Sequence, residues 1–254
     1  MPPIIEVGNQ NELVPTKDFP DAKFPFEFFN PVQSRVVELY KEDANFVIAA
    51  QTGAGKTYMA EILSTYDLRH RNNKVMYVAP LRSLAKEKID DWTDKSHHFS
   101  DLNISVCTGD FRLTPARKKE LEESNVILIT NEMLAARCRN FSSEQNDFLK
   151  QVKTLIVDEA HLLGTPSRGH HTEVALMKFA ELNPDCRIVF LSATLPNVKE
   201  ISEWISYSLN SKKTYLIKSD YRPIPLGVNY EVYSDIGNYD EVENEKISDE
   251  SGSP

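Results

Sequence analysis

Short stretches of uniformly apolar residues alternate with amphipathic stretches along most of the chain. The apolar stretches predict strands at residues 46–50, 75–79, 104–107, 126–130, 154–157, 188–192 and 214–217, and the amphipathic ones predict helices at residues 56–66, 81–92, 172–182 and 198–206. Strands that are apolar throughout are buried on both faces, and helical connections make neighbouring strands parallel. We therefore predict an α/β fold, a doubly wound and mainly parallel sheet with helices on both faces, which binds ligands at the carboxyl ends of its strands.

The two ends of the chain differ in composition from the part between them. Residues 1–25 contain five prolines without a sustained hydrophobic period, which predicts an extended segment ahead of the domain. The folded domain is predicted over residues 26–227, and Asn30 followed by Pro31 is typical of the start of its first helix. A short β-like run at residues 228–233 precedes a polar, acidic stretch that we expect to be disordered.

The net charge of −9 is unevenly distributed. Residues 228–254 contain eight acidic residues and one lysine, a balance of −7, which leaves −2 for residues 1–227. A strongly acidic body would argue against nucleic acid as a partner, whereas a nearly neutral one does not. Charge therefore decides neither for nor against nucleic-acid binding.

Cysteine content and hydropathy point to an intracellular globular protein. Cys107, Cys138 and Cys186 lie far apart and have no histidines at metal-ligand spacing, so we expect reduced, buried thiols and neither a disulfide framework nor a zinc site at these cysteines. No apolar run approaches the roughly 20 residues that a membrane span requires, and the first residues lack the order of a secretion signal. We expect no membrane partner.

Residues 50–57, Ala-Gln-Thr-Gly-Ala-Gly-Lys-Thr, follow a predicted strand and precede a predicted helix. This is the context of a phosphate-binding loop, in which glycines let backbone N–H groups point at phosphate oxygens and the helix dipole adds to the attraction. Lys56 is expected to reach the β- and γ-phosphates of ATP, and Thr57 to hold Mg²⁺. The predicted nucleotide contacts are Thr52, Gly53, Ala54, Gly55, Lys56 and Thr57. The alternative is a glycine-rich turn with an ordinary helix lysine.

The sequence Asp158-Glu159-Ala160-His161 follows another buried strand, about 100 residues after the phosphate loop. Hydrolysis requires a carboxylate that helps to hold Mg²⁺ and a second group that orients the attacking water. We assign the first role to Asp158 and the second to Glu159. Acidic residues also favour a helix start on electrostatic grounds alone. His161 either couples to the nucleotide state or is a structural hydrogen-bond partner.

Finer motifs carry a family resemblance over roughly residues 26–230. They are Asp-Glu-Ala-His-Leu-Leu at 158–163, Arg-Gly at 168–169, Glu173, Leu-Ser-Ala-Thr-Leu-Pro at 191–196, Arg-Pro-Ile-Pro-Leu at 222–226, and alanine instead of glycine at position 50. The chain resembles the first RecA-like domain of superfamily-two DEAD/DEAH-box helicases of the Ski-type group, which includes archaeal Holliday-junction-migrating and Brr-type helicases. The resemblance implies a P-loop NTPase fold.

The resemblance also implies roles for residues outside the two phosphate motifs. Gln33, about 20 residues before the phosphate loop, is expected to read adenine through its amide; otherwise it lies on an exposed helix face. Ser192 and Thr194 are expected to couple hydrolysis to strand movement, or else only to cap the next helix.

Three loops that follow successive strands resemble the helicase segments that grip the phosphodiester backbone. Their predicted contact residues are Pro80, Arg82, Thr108, Gly109 and Thr130. Helix N-termini, hydroxyls and an arginine suit phosphates, so binding would not read bases. The alternative for each loop is an ordinary helix cap, and Asn131 stands where the group commonly has proline. The expected partner is single-stranded or partly duplex nucleic acid, with DNA slightly favoured over RNA.

Helicases of this type carry a second RecA-like domain with arginine fingers, and no second set of motifs follows in this sequence. Residues 228–254 would then be a remnant of the interdomain linker and an acidic tail. We expect ATP binding with weak hydrolysis by the chain alone, as half of a split or truncated motor. Two alternatives remain: a regulatory module whose acidic tail docks a partner, and an ATPase subunit of a nuclease or transporter.

Overall fold

The computed structural model describes residues 1–8, 12–109, 113–140, 143–164, 169–193 and 197–224. Its centre is a sheet of eight strands, all parallel, in the order β1-β8-β2-β7-β6-β3-β5-β4. The strands are β1 (Ile4–Glu6), β2 (Asn45–Ala50), β3 (Lys74–Ala79), β4 (Ile104–Cys107), β5 (Val126–Thr130), β6 (Val152–Val157), β7 (Arg187–Ser192) and β8 (Thr214–Ser219).

Seven α-helices flank this sheet within the described residues. They are α1 (Pro31–Leu39), α2 (Lys56–His70), α3 (Arg82–Trp92), α4 (Pro115–Glu123), α5 (Asn131–Arg139), α6 (Gly169–Leu182) and α7 (Val198–Trp204). Shorter 3-10 helices lie at Thr16–Asp18, Glu144–Gln151 and Ala160–Gly164, and a π-helical turn at Ile205–Leu209 follows α7. None of the helices in the described ranges is long and apolar enough to cross a membrane.

The core has two layers, one on each face of the sheet. Phe46 and Ile48 pack with residues of α1, α2 and α3, whereas Val47 and Ala49 on the same strand pack with residues of α4, α5, α6 and α7. Alternate residues of β2 therefore belong to opposite layers, which explains why this strand is apolar at every position after its first. The prediction of a doubly wound parallel α/β sheet is confirmed.

The amino-terminal segment differs from the prediction of an extended stretch ahead of the domain. β1 pairs with β8, with Ile5 beside Ile217, and the Val7 N–H donates to the Lys218 carbonyl at 2.9 Å. Phe19 is also buried in the core layer that contains α1 and α2. Residues 1–223 form one compact unit, so the described part of residues 1–25 belongs to the domain.

The cysteines behave as expected from the sequence. Cys107, Cys138 and Cys186 are free and buried, and burial raises the pKa of Cys138 and of Cys186 to about 12. The predicted β-like run at residues 228–233 and the predicted disorder of residues 234–254 lie outside the described residues, as do Thr194 and Arg168.

Strand order divides the carboxyl edge of the sheet into two neighbouring regions. β2, β7 and β6 are adjacent and end at the phosphate loop, Ser192 and Asp158 respectively. β3, β5 and β4 are the next three strands, and they end just before Pro80, at Thr130 and just before Thr108 respectively. Residues far apart in sequence thus meet in two groups on one edge.

Candidate functional site

The loop between β2 and α2 has the backbone that a phosphate-binding loop requires. Gly53 and Gly55 have φ angles of 85° and 76°, in the left-handed region that glycine adopts without strain. A Cβ on Gly55 would lie 2.4 Å from Gln33 Nε2, so a side chain there would force the Gln33 amide to move. Gly55 is also the N-cap of α2 and offers no capping side chain, which leaves first-turn N–H groups for an anion.

The remaining residues of this loop surround the start of α2. Lys56 is mostly buried, and its Nζ donates to the Ala50 carbonyl at 3.4 Å. Ala54 is buried, Thr52 is exposed, and Thr57 in the first turn of α2 is partly buried. The structure therefore places the predicted nucleotide contacts at the carboxyl end of β2. Their contacts with ATP remain predictions.

Helix α1 is fastened to the phosphate loop by its own capping residues. Asn30 and Gln33 form a capping box, in which the Asn30 side chain accepts from the Gln33 N–H and Gln33 Oε1 accepts from the Asn30 N–H. Asn30 Nδ2 also donates to the Ala54 carbonyl at 2.9 Å, and Gln33 Nε2 donates to the Gly55 carbonyl at 3.4 Å. Gln33 is only 4% exposed, so it does not lie on an exposed helix face. Its role towards adenine stays a prediction.

Asp158 follows β6 and is held from both sides. The Tyr77 hydroxyl donates to Asp158 Oδ2 at 2.6 Å, and the Glu159 N–H donates to Asp158 Oδ1 at 2.9 Å. Burial, together with the adjacent Asp158 carboxylate, raises the pKa of Tyr77 well above its ordinary value, so Tyr77 remains a donor. Sequence reasoning did not select Tyr77. The sequence carries no signal for this contact, because Tyr77 meets Asp158 through the pairing of β3 with β6.

Glu159 has an unusual backbone conformation. Its φ is 48°, in the left-handed region that residues with a side chain rarely occupy and that is found disproportionately at functional sites. Glu159 Oε2 lies 3.2 Å from His161 Nδ1. This contact gives His161 a specific carboxylate neighbour, and the histidine is exposed rather than packed in the core.

The end of β7 lies between these two motifs. Ser192 pairs with Ala49 of β2 and is buried, and its hydroxyl has no hydrogen-bond partner among the described residues. A buried, unsatisfied hydroxyl costs free energy and often marks a functional position. Because Thr194 is not among the described residues, the coupling role of the pair stays a prediction.

A contact that sequence reasoning missed joins the segment after β8 to the phosphate loop. Arg222 Nη2 donates to Gln51 Oε1 at 3.2 Å, and Pro223 Cγ lies 3.9 Å from where a Cβ on Gly53 would stand. In the sequence, Arg222 and Pro223 are distinguished only as part of the family motif at residues 222–226. The structure places them beside the candidate nucleotide site.

The second region of the carboxyl edge, at the ends of β3, β5 and β4, forms a cavity of about 500 Å³. It is lined by Pro80, Leu81, Arg82, Ser83, Gly109, Thr130, Glu132 and Met133. Four of the five predicted nucleic-acid contacts thus meet in one place. Thr108 instead lines an adjoining cavity of about 540 Å³, to which Arg82 also contributes.

The residues of this cavity are not equivalent in what they can bind. Thr130 is buried, and its hydroxyl caps α5 by accepting the Met133 N–H at 3.4 Å. Arg82 is exposed at the start of α3, and its Nη2 would lie 2.7 Å from a Cβ placed on Gly109. The arginine and the helix N-termini suit a phosphate. Thr130 is a helix cap, as the alternative interpretation of this segment predicts.

A glycine-rich loop between a buried strand and a helix, with an acidic motif two strands away on a doubly wound parallel sheet, defines a P-loop nucleoside-triphosphatase domain. Comparison with known families gives a more specific result. Residues 30–201 match the DEAD/DEAH box helicase family, and the chain belongs to that family.

Individual relatives are large helicases of which this chain covers a small part. The antiviral helicase SKI2 of Saccharomyces cerevisiae is 31% identical over 225 residues, which cover 88% of this chain and 16% of that protein. The DExH-box ATP-dependent RNA helicase DExH13 of Arabidopsis thaliana is 35% identical over 212 residues, which cover 80% of this chain and 9% of that protein. The probable ATP-dependent DNA helicase HFM1 of Mus musculus is 30% identical over an alignment of 251 residues, which covers 84% of this chain and 17% of that protein. The resemblance to Ski-type helicases is thereby confirmed.

Solved structures show the same fold. The DEAD-box helicase Mss116 bound to ssRNA and UDP-BeF superposes with a TM-score of 0.66 over 86% of this chain and 48% of its own chain. The two sequences are 19% identical, so this likeness concerns the fold alone. It confirms the prediction of a RecA-like domain.

Proposed function

We propose that this domain binds ATP with Mg²⁺ and single-stranded nucleic acid, and acts as the first motor domain of an ATP-dependent helicase. The observation that carries the proposal is the strand order of the sheet. It sets the phosphate loop, Ser192 and Asp158 on three adjacent strands, directly beside the three strands whose loops form the 500 Å³ cavity. Nucleotide and nucleic acid would then bind side by side on one rigid edge.

The residues of the first region suit ATP with Mg²⁺. Uncapped N–H groups at the start of α2 and the amine of Lys56 are donors for phosphate oxygens. The Thr57 hydroxyl and the Asp158 carboxylate are oxygen ligands, directly or through water, of the type that Mg²⁺ prefers. When bound, Mg²⁺ would neutralise charge on the β- and γ-phosphates. Glu159 would orient the attacking water, and His161 would hold the Glu159 carboxylate in place.

The second region suits the backbone of a nucleic acid. Arg82 and the N-termini of α3 and α5 face a shared cavity, and they are donors for phosphates without a means of reading bases. The relatives' names include both an RNA helicase and a DNA helicase, so they do not support the sequence-based preference for DNA. We propose binding to either type of strand.

Full activity would require a second RecA-like domain. The chain spans less than a fifth of the three curated relatives' length and about half of the Mss116 chain. In helicases the arginine finger comes from a second domain, and such a residue raises turnover by about 10³–10⁵. This domain alone would therefore bind ATP and hydrolyse it slowly, whether the second domain is joined to it or is brought by another chain.

Binding and turnover test the proposal separately. A fluorescent ATP analogue with Mg²⁺ should bind the wild-type chain, and Lys56→Ala should weaken binding at least about tenfold because a charged phosphate contact is lost. Lys150→Ala, which removes an exposed lysine paired with Asp147, is the matched control and should bind normally. ATP turnover is then measured with single-stranded DNA or RNA, with and without a second-domain polypeptide. Absence of analogue binding by the wild type would refute the proposal.

A further inference from the structure

A cluster of one glutamate and two histidines lies away from the phosphate loop. Glu61 is in the second turn of α2, and His97 and His98 lie in the turns after α3. Glu61 is 1% exposed, and the two histidine side chains are mostly buried against it. The stacked imidazole rings have centroids 4.2 Å apart. A buried carboxylate beside two imidazoles is uncommon unless the groups are paired or bind a metal.

The distances match those between ligands of one metal ion. Glu61 Oε2 lies 3.6 Å from His97 Nε2 and 3.4 Å from His98 Nε2, and all three atoms are within 4.8 Å of one another. Zinc bonds of about 2.0–2.1 Å to nitrogen and oxygen place two ligand atoms of a tetrahedral site about 3.4 Å apart. The cluster therefore needs little movement to surround an ion.

The hydrogen bonds of His98 orient a lone pair towards Glu61. His98 donates to the backbone of Lys23, and its Nε2 has no hydrogen-bond partner among the described residues, so Nδ1 is the donor. Nε2 then carries a lone pair, 3.4 Å from Glu61 Oε2. Histidines that bind metals are commonly oriented by such a backbone hydrogen bond from the other nitrogen.

The glutamate presents a second acceptor at the same point. The Trp92 indole N–H donates to Glu61 Oε1 at 2.8 Å, whereas Glu61 Oε2 has no hydrogen-bond partner among the described residues. Two unsatisfied acceptors, Glu61 Oε2 and His98 Nε2, thus face each other across 3.4 Å in a buried place. A cation between them would satisfy both.

His97 would complete the site after a change of tautomer. Its Nδ1 accepts the Phe99 N–H at 3.1 Å, so the proton of the neutral ring is on Nε2, which faces Glu61. To become a ligand, Nε2 must give up this proton, Nδ1 must be protonated, and the bond from Phe99 must be released. Glu61 and His98 are the preformed ligands, and His97 is the third.

We propose that Glu61, His97 and His98 bind a divalent transition-metal ion, for which two imidazoles and one carboxylate best suit Zn²⁺, with water as the fourth ligand. The ion would join α2, which begins at the phosphate loop, to the turns after α3, which begins at the candidate nucleic-acid cavity. The site does not depend on the proposed function, because none of its ligands takes part in nucleotide binding.

The site is tested by titrating the whole chain with Zn²⁺. The chain is first freed of metal by a chelator, and no nucleotide is added. We expect one Zn²⁺ bound per chain and a higher melting temperature with Zn²⁺ than with chelator. Glu61→Gln keeps an acceptor for Trp92 and should weaken Zn²⁺ binding at least about 100-fold, as should His98→Gln, because each removes a direct ligand. His70→Gln removes a histidine of α2 outside the cluster and should bind Zn²⁺ as the wild type does.

A second carboxylate and histidine, Glu159 and His161, could also attract zinc, so His161→Gln is titrated as well. The proposal is overturned if binding is lost in His161→Gln but kept in His98→Gln, or if the wild-type chain binds no Zn²⁺. If Glu61→Gln does not fold, His98→Gln decides. Co²⁺ then provides a spectroscopic readout, since tetrahedral coordination by the cluster should give visible absorption that His98→Gln abolishes.

Discussion

The Tyr77 hydroxyl donates a 2.6 Å hydrogen bond to Asp158 Oδ2, across the neighbouring strands β3 and β6. The same carboxylate accepts the Glu159 N–H through its other oxygen. With one donor on each oxygen, the Asp158 side chain has little freedom to rotate. Tyr77 is therefore a positioning residue for the carboxylate that we assign to Mg²⁺.

Replacing Tyr77 with phenylalanine should weaken Mg²⁺-dependent nucleotide binding. The variant loses the hydroxyl and keeps the aromatic ring, which packs edge-on against Trp92. A hydrogen bond to a charged group contributes about 1.5–3 kcal/mol. We expect analogue affinity with Mg²⁺ to fall about three- to tenfold, since part of that free energy goes to fold stability, while affinity in EDTA changes little.

Tyr40→Phe is the matched control for this substitution. The Tyr40 hydroxyl donates to Asp21 at 2.7 Å, and neither residue is a predicted contact of the nucleotide or of Mg²⁺. Both variants should lower the urea midpoint of unfolding, and only Tyr77→Phe should change the effect of Mg²⁺ on analogue affinity. Equal losses of affinity in the two variants would show that Tyr77 acts through stability alone.

Much of the fold could be predicted because its signals are local. The apolar strands and the Asn30-Pro31 helix start depend on neighbouring residues, and the structure has both. β1 could not be found in the same way. It has three residues, too few for a pattern, and it is fixed by pairing with β8 more than 200 residues later.

The residues of the candidate site likewise include some with a local sequence signal and some that only the fold brings together. Lys56 and Asp158 belong to motifs that are contiguous in sequence, so their loops were predicted. Tyr77 meets Asp158 only because β3 lies beside β6, and sequence alone does not give that order. Glu61 and the histidines after α3 likewise come together through helix packing, which explains why spacing did not reveal the cluster.

Adding a methyl group at Gly55 should impair both folding and nucleotide binding. Its φ of 76° costs an alanine about 1–2 kcal/mol, and the new Cβ would displace Gln33 from the loop. We expect Gly55→Ala to lower the free energy of unfolding by about 1–2 kcal/mol. Binding of the ATP analogue should weaken at least about tenfold, because the N–H groups of the loop would no longer point at one phosphate position. Gly8→Ala is the control, because its Cβ would meet nothing within 4 Å. It should change neither the free energy of unfolding, measured in urea, nor the affinity for the analogue.

Arg82 should contribute to nucleic-acid affinity without regard to sequence. The logarithm of the binding constant falls as the logarithm of the salt concentration rises, and removing one phosphate contact makes this slope less steep by about 0.7 for a single strand. We expect Arg82→Ala to weaken binding of single-stranded DNA and RNA to a similar extent, measured by fluorescence anisotropy over a salt series. Lys119→Ala removes an exposed charge on α4 and should leave the slope unchanged. A loss confined to one base sequence would contradict a backbone contact.

The buried pair of Asp67 and Arg187 should govern stability rather than activity. Asp67 Oδ2 lies 2.7 Å from Arg187 Nη2 and accepts the Thr154 hydroxyl at 2.5 Å, and this contact joins α2 to β6 and β7 at their amino ends. Removing one partner of a buried pair leaves a charge uncompensated and costs about 3–5 kcal/mol. Asp67→Asn should therefore shift the urea midpoint strongly.

Asp101→Asn supplies the surface counterpart of that test. Asp101 pairs with Arg69, but its side chain is 62% exposed, so solvent screens the pair. Exposed pairs contribute about 0–1 kcal/mol, and we expect a correspondingly small shift of the midpoint. If the two variants unfold at the same urea concentration, the Asp67–Arg187 contact is not what joins α2 to the sheet, and the hydrogen bond from Arg187 to the Leu63 carbonyl of α2 must have that role.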